Sequence, residues 1–105
     1  MTRIDFDRDL KGVQDGLIIL GNLVEQSITR AMDALKRRDL EASRRVIEED
    51  DLIDRKRFRL EEECIYLMAT QQPLATDLRT LITIIHVSVE LERMGDYAEG
   101  IAKIS

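Results

Sequence analysis

The chain has 105 residues and a net charge of −5, which is the length of one small domain with an acidic surface. Charged residues make up 35% and hydrophobic residues 44%, a mixture that suits amphipathic helices and excludes a disordered tail. The acidic balance disfavours nucleic acid and anionic membrane surfaces as partners, because the short basic runs at 36–38 and 55–57 are surrounded by acids.

The first helical pattern runs from about residue 5 to residue 37. Apolar or small residues recur there with alternating spacings of three and four, which is typical of a helix packed against an antiparallel neighbour. The residues of this seam are Leu10, Val13, Leu17, Leu20, Val24, Ser27, Ala31 and Ala34. Three glycines in the same segment, Gly12, Gly16 and Gly21, each cost about 1 kcal/mol relative to alanine unless they allow close helix approach.

The second helical pattern runs from about residue 40 to residue 70, and Asp39 is a suitable N-cap for it. One side of this helix carries Ile47, Cys64, Ile65 and Met68. The only proline, Pro73, predicts the turn into a third pattern, from about residue 74 to residue 104. The apolar face of the third pattern consists of Leu78, Leu81, Ile82, Ile85 and Val89.

Short connections force neighbouring helices to run antiparallel, so the sequence predicts an all-α, up-down-up three-helix bundle. Residues 1–105 form a single domain in this prediction. The only cysteine, Cys64, is expected to be a small buried hydrophobic residue. Neither a signal peptide nor an apolar run of the roughly 18 to 20 residues that span a bilayer is visible. We therefore expect a cytoplasmic protein that meets membranes only through partners.

Two pairs of acids, each spaced four residues apart, interrupt the apolar stripes. Asp50 and Asp54 lie on the second helix, and Glu92 and Asp96 lie on the third. The two pairs are about equally far from the turn at Pro73, so an antiparallel arrangement brings up to four negative charges to one level of the bundle. Two like charges 4 Å apart repel by about 4 kcal/mol at an effective dielectric constant of about 20. We therefore predict a cation site, with Fe, Zn, Mn or Mg as the candidate ions, because all of them accept carboxylate ligands.

Two simpler explanations of these acids are open. The acids could pair with Arg57 or Arg93, or this end of the stripe could face water. The only histidine, His86, follows Thr83 rather than a glutamate at i−3, so the Glu-x-x-His motif of di-iron bundles is absent. No glycine-rich phosphate loop and no nucleophile triad can be assembled from the sequence, and we expect no enzyme activity.

Three stretches of the chain resemble the PhoU family: 46–50 (VIEED), 72–79 (QPLATDLR) and 90–96 (ELERMGD). The last is similar to that family's ELERIGD signature, with Met94 in place of isoleucine. The resemblance implies a cytoplasmic, peripherally membrane-associated negative regulator of the phosphate regulon. It also implies an adaptor between the ATPase subunit of a phosphate ABC transporter and a sensor histidine kinase. The family's metal-binding E(D)-x-x-x-D motifs match Asp50 to Asp54 and Glu92 to Asp96.

Members of the PhoU family typically contain two tandem three-helix units, whereas this chain supplies one. The chain is then one half of a two-repeat protein, a truncated product, or a single-repeat member. A single-repeat member would rebuild the six-helix arrangement by self-association, and we expect a homodimer or another homo-oligomer. The alternative function is that of a PhoU-like accessory or structural module of another ion transporter, without metal.

Overall fold

The computed structural model describes residues 2–104, which form three long helices. Helix α1 spans Arg3–Arg37, α2 spans Leu40–Gln71, and α3 spans Ala75–Ile104. The predicted bounds differ from these by two residues or fewer, and residues 2–104 contain no strand. The helices run up, down and up, each packs against the other two, and together they form a rod of 53 × 17 × 16 Å. The predicted all-α three-helix bundle is confirmed.

The two turns set the antiparallel directions of the helices. In the first turn, Arg38 adopts the left-handed conformation with φ of 56°, and Asp39 caps α2 by accepting a hydrogen bond from the Ala42 backbone N–H at 3.1 Å. The second turn is similar, because Gln72 ends α2 with φ of 43° and Pro73 follows it. A residue in the left-handed conformation allows backbone N–H groups to bond to the last carbonyl groups of a helix, and it redirects the chain within a few residues.

The core has two regions of different side-chain size. The first is built mainly from large side chains: Phe6, Val13, Leu20, Val24, Ile53, Leu60, Cys64, Leu67, Leu81 and Ile84. The second is built from small ones: Ala31, Val46, Ala98 and Ala102. Asp50 on α2 and Gly95 on α3 lie at the junction of the two regions, and both are buried. The change of side-chain size therefore coincides with the level of the predicted acidic site.

The predicted seam of α1 is confirmed, whereas the predicted apolar face of α3 is partly wrong. All eight seam positions of α1 are buried or half-buried. In α3, Leu81 is buried, but Ile82 and Val89 are exposed, and in α2 the side chain of Ile65 is exposed as well. The buried positions of α3 are Leu81, Ile84, Ser88, Gly95, Ala98 and Ala102. The inward face is thus rotated by nearly one residue step of about 100°, because the helices approach closely over small residues.

Candidate metal centre

Three of the four predicted ligands lie together. Asp50 and Asp54 are one turn apart on α2, and Asp96 projects from α3 opposite them. Each of the three carboxylates offers an oxygen atom, and these atoms lie within 4.8 Å of one another. Asp50 is only 5% exposed, Asp54 is half-buried and Asp96 is exposed. The cluster therefore extends from the core to the surface along the groove between α2 and α3.

The fourth predicted ligand, Glu92, has a different partner. Its carboxylate forms an ion pair with the Arg57 guanidinium across the α2/α3 groove, one turn of α3 before Asp96. Arg57 also donates a hydrogen bond to Glu61 at 2.7 Å. Pairing with Arg57, the simpler explanation of the acids, thus describes Glu92 but not the other three. The other arginine considered, Arg93, pairs instead with Glu90 at 3.2 Å.

One carboxylate of this region was missed by the sequence analysis. Glu99 lies one turn of α3 beyond Asp96 and makes a side-chain hydrogen bond with Asp50. It also forms an ion pair with Lys103 at 2.7 Å. The sequence held a signal for it, since the Asp-x-x-Glu spacing of Asp96 and Glu99 places both on one helical face. The four predicted ligands form pairs spaced by four residues, whereas Asp96 and Glu99 are spaced by three.

The electrostatics show that negative charge is poorly compensated in the cluster. Burial raises the pKa of Asp50 to about 7, and the hydrogen bond with Glu99 and the nearby Asp54, Glu99 and Asp96 carboxylates act in the same direction. Burial also raises the pKa of Asp54, reinforced by Glu92 and Asp96. The pKa of Asp50 is raised and that of Glu99 is lowered, so Asp50 is the carboxyl group that holds the proton of this hydrogen bond below about pH 7.

The donor atoms fit a metal ion. Among residues 2–104, the buried oxygens Asp50 Oδ1 and Asp54 Oδ1 have no hydrogen-bond partner. An unpaired buried oxygen is costly, and a cation removes that cost for both atoms at once. Carboxylate oxygens without sulfur or imidazole suit Mg²⁺, Mn²⁺, Fe and Zn²⁺. When bound, such an ion supplies the positive charge that the proton on Asp50 otherwise provides.

Gly95 provides space on the inner side of this cluster. A methyl group at Gly95 would lie 3.6 Å from Asp50 Oδ1 and 3.5 Å from Ile53 Cγ2. These are ordinary contact distances, so the glycine is not required by a clash. It leaves the Asp50 oxygen in contact with a small unfilled space at the junction of the two core regions.

Comparison with known proteins identifies the family of this bundle. A family model described as "PhoU domain" matches residues 17–105. The chain belongs to the PhoU family. A relative from Clostridium acetobutylicum, named phosphate-specific transport system accessory protein PhoU homolog, is 38% identical over 98% of this chain and 48% of its own length. The accessory protein PhoU of Escherichia coli is 33% identical over 93% of this chain and 41% of its own length.

Solved structures of PhoU proteins have the same fold as this chain. The crystal structure of PhoU from Pseudomonas aeruginosa matches with a TM-score of 0.90 at 37% identity. The phosphate transport system regulatory protein PhoU from Streptococcus pneumoniae matches with a TM-score of 0.88 at 36% identity. Each match covers 93% of this chain and 46–47% of the solved chain. The chain thus spans about half the length of the PhoU proteins it matches.

Proposed function

We propose that this chain is a regulatory accessory protein of phosphate transport, a negative regulator of the phosphate regulon that acts without enzyme activity. Family membership over residues 17–105 and relatives named as phosphate transport accessory proteins support this role. We extend the role to this chain because its bundle matches solved PhoU structures with TM-scores of 0.88 and 0.90.

The partners in this proposal are the ATPase subunit of a phosphate ABC transporter and a sensor histidine kinase. The names of the relatives support association with a phosphate transport system, and the two individual partners follow from the family resemblance. None of the helices within residues 2–104 combines the length and the hydrophobicity needed to cross a bilayer. As the family resemblance implies, the proposal places the chain in the cytoplasm, held at the membrane by the transporter.

The proposal includes a metal ion held by Asp50, Asp54 and Asp96, with Glu99 as an additional ligand and with Glu92 remaining paired with Arg57. The observation that carries it is the pair of buried carboxylate oxygens without hydrogen-bond partners, Asp50 Oδ1 and Asp54 Oδ1, facing a third carboxylate on another helix. A cation bound there joins α2 to α3 at the junction of the two core regions. Occupancy of the site would in this way control how firmly the two helices are held together.

Titration calorimetry and elemental analysis test the metal site. We expect the protein to bind Mn²⁺, Zn²⁺, Fe²⁺ or Mg²⁺ with one dominant site, and Asp54→Asn combined with Asp96→Asn to weaken binding at least about 100-fold. Asp15→Asn is the control, because Asp15 is an exposed acid on α1. An unchanged affinity in the double variant, or no binding of any of the four ions by the wild type, would contradict this part of the proposal.

A bacterium that lacks its own PhoU protein provides the test of regulation. We expect this chain to restore repression of a phosphate-starvation reporter in phosphate-rich medium, and the Asp54→Asn, Asp96→Asn variant to restore it less. Immunoblotting must show equal amounts of both proteins. A reporter that stays fully active with the wild-type chain, at an expression level where the host's own PhoU represses it, would contradict the regulatory role while leaving metal binding untouched.

A further inference from the structure

Arg57 is a cation held inside the row of carboxylates that follows the α2/α3 groove. Its side chain is only 19% exposed, and it projects between Glu61 on its own helix and Glu92 on α3. The Nη1 atom of Arg57 donates to Glu61 Oε2 at 2.7 Å, and its Nε atom is paired with Glu92 Oε2. Both contacts are made by one planar guanidinium group, so a single positive charge joins carboxylates from two helices.

The part of the groove around Arg57, which we call the Arg57 level, repeats the arrangement of the candidate metal centre. At the metal centre, Asp54 on α2 lies close to Asp96 on α3. Further along the groove, Glu61 and Glu92 again bring one carboxylate from each helix together. At the Arg57 level a guanidinium supplies the positive charge between the two acids, whereas the buried Asp54 Oδ1 at the metal centre has no hydrogen-bond partner.

The Arg57 level and the metal centre are close enough for their charges to interact. Burial raises the pKa of Asp54, and the Glu92 and Asp96 carboxylates act in the same direction. Glu92 therefore lies near enough to the metal centre for its charge to act there. Arg57 contacts Glu92 and so places a positive charge beside the same region, where it opposes the entry of a further cation because like charges repel.

The positive charge of Arg57 is a permanent feature of the groove. A guanidinium group is not deprotonated in a folded protein, so it cannot give up its charge to make room for a metal ion. A metal ion can enter the Arg57 level only if the whole side chain moves out. The contacts with Glu61 and Glu92 and the low exposure of the side chain oppose that movement.

We propose that Arg57 fills a second cation position of the α2/α3 groove and in this way limits the bundle to one metal ion. The inference rests on the metal site of the proposed function and names the residue that sets how many ions the groove holds. A neutral side chain at position 57 leaves Glu61 and Glu92 without their shared cation. Carboxylate oxygens are ligands that Mn²⁺ and Mg²⁺ accept, so a second ion then takes the place of the guanidinium.

A fixed cation and an exchangeable ion link α2 to α3 in two different ways. Arg57 joins the two helices whether or not metal is present. The ion at Asp50, Asp54 and Asp96 joins them only while it is bound. Release of the ion therefore loosens the metal centre and leaves the Arg57 level closed.

Equilibrium dialysis against Mn²⁺, followed by elemental analysis, tests this inference through the number of ions bound per chain. We expect Arg57→Gln to bind one more Mn²⁺ per chain than the wild type, and the EPR signal to be broadened because the two ions lie close together. Arg57→Lys keeps the positive charge and should bind no additional ion. Arg55→Gln is the matched control, because Arg55 is exposed and donates to the Asp51 backbone carbonyl, at 3.3 Å, rather than to a carboxylate.

Two further variants guard against a loss of folding. Removal of the Arg57 charge leaves Glu61 and Glu92 to repel each other in the metal-free bundle, so circular dichroism must show that Arg57→Gln keeps the wild-type helicity. Arg57→Met retains an apolar stem that packs in the groove, and it replaces Arg57→Gln if that variant loses helicity. Arg57→Gln combined with Glu92→Gln should lose the additional ion, because Glu92 is one of its ligands.

The outcome is decided by the difference between variant and wild type. A folded neutral variant that binds no more Mn²⁺ than the wild type would overturn the inference. An equal gain in Arg55→Gln would also overturn it, since the gain would then reflect net charge alone. A wild type that binds no Mn²⁺ contradicts the proposed metal site, whereas a gain of one ion in the neutral Arg57 variants still supports the role of Arg57.

Discussion

Asp50 on α2 and Glu99 on α3 share a hydrogen bond across the helix interface, with Asp50 buried and Glu99 held by Lys103 on its other side. The pKa values of the two carboxyl groups shift in opposite directions. The pKa of Asp50 rises to about 7, chiefly through burial, whereas the hydrogen bonds from Asp50 and Lys103 lower the pKa of Glu99. The proton therefore resides on Asp50, which donates to the Glu99 carboxylate. A cation that replaces this proton has to compete with it.

The stability of the metal-free bundle should fall as the pH rises towards neutrality. The pKa of Asp50 is higher in the folded state, about 7, than its ordinary value of 3.8, so the folded state binds the proton more tightly. The resulting stabilisation is complete below pH 4 and is lost as the pH passes through 7. Between pH 5.5 and pH 8 we expect the free energy of unfolding to fall by about 2 kcal/mol. Urea denaturation in EDTA measures this difference.

Asp50→Asn is the matched variant for this pH dependence. The amide keeps the shape of the protonated carboxyl and can still donate to Glu99, but it does not titrate. We expect the variant to lose most of the pH dependence and to be more stable than the wild type at pH 8. Equal slopes of stability against pH in the two proteins would show that another group takes up the proton.

The metal affinity should distinguish Glu92 from Asp96, although both belong to one predicted motif. Glu92 is engaged by Arg57, whereas Asp96 faces Asp50 and Asp54. We expect Glu92→Gln to change the Mn²⁺ affinity by less than about threefold and Asp96→Asn to lower it by at least about 30-fold. Calorimetry at pH 7.5 provides both values. Equal losses would mean that Glu92 leaves Arg57 and moves to the ion when the metal binds.

The level of the site along the bundle could be predicted from the sequence, because helix direction and distance from Pro73 suffice to place Asp50, Asp54 and Asp96 together. How deeply each of these acids is buried in the bundle could not be predicted from the sequence. The apolar pattern of α3 predicts an inward face that includes Ile82 and Val89, but the helices meet over small residues such as Ser88 and Ala98. Hydrophobicity alone does not reveal how closely two helices approach. The predicted inward face of α3 therefore differs from the observed one by a rotation about the helix axis.

The partners of the individual acids were also beyond the sequence. Arg57 lies within reach of Glu61 on its own helix and of Glu92 on another, and only the packed structure shows that it contacts both. The Asp50–Glu99 hydrogen bond likewise depends on the rotation of α3. Helix bounds, in contrast, follow from local signals such as the Asp39 cap and were predicted within two residues.

Cys64 should be chemically inert in the folded protein. It is fully buried, and burial, with Glu63 and Glu61 nearby, raises its pKa to about 11 from 9. A rise of two units in the pKa lowers the thiolate fraction about 100-fold at neutral pH, and the thiolate is the reactive form. We expect an Ellman-type disulfide reagent to leave the native thiol unmodified for hours and to react stoichiometrically within minutes in 6 M guanidinium chloride. Rapid labelling of the native protein would show that the core opens at this level.

Three glycine-to-alanine substitutions should separate helix propensity from helix packing. Alanine in a helix interior is favoured over glycine by about 1 kcal/mol when nothing obstructs its methyl group. At Gly12 nothing lies within 4 Å, and at Gly95 the nearest atom, Ile53 Cγ2, is at 3.5 Å, so we expect both variants to be stabilised by about 1 kcal/mol. At Gly16 the methyl group would lie only 3.1 Å from Cδ1 of the buried Leu60.

The Gly16→Ala variant should therefore gain little or be destabilised, because Leu60 must move within a packed core and overpacking costs about 1 kcal/mol or more. Urea denaturation in EDTA gives all three values, and Gly12→Ala serves as the reference for propensity alone. Full stabilisation of Gly16→Ala would show that Leu60 can move away without cost. For Gly95→Ala, a gain in stability accompanied by weaker Mn²⁺ binding would show that the space beside Asp50 serves the cation site rather than the fold.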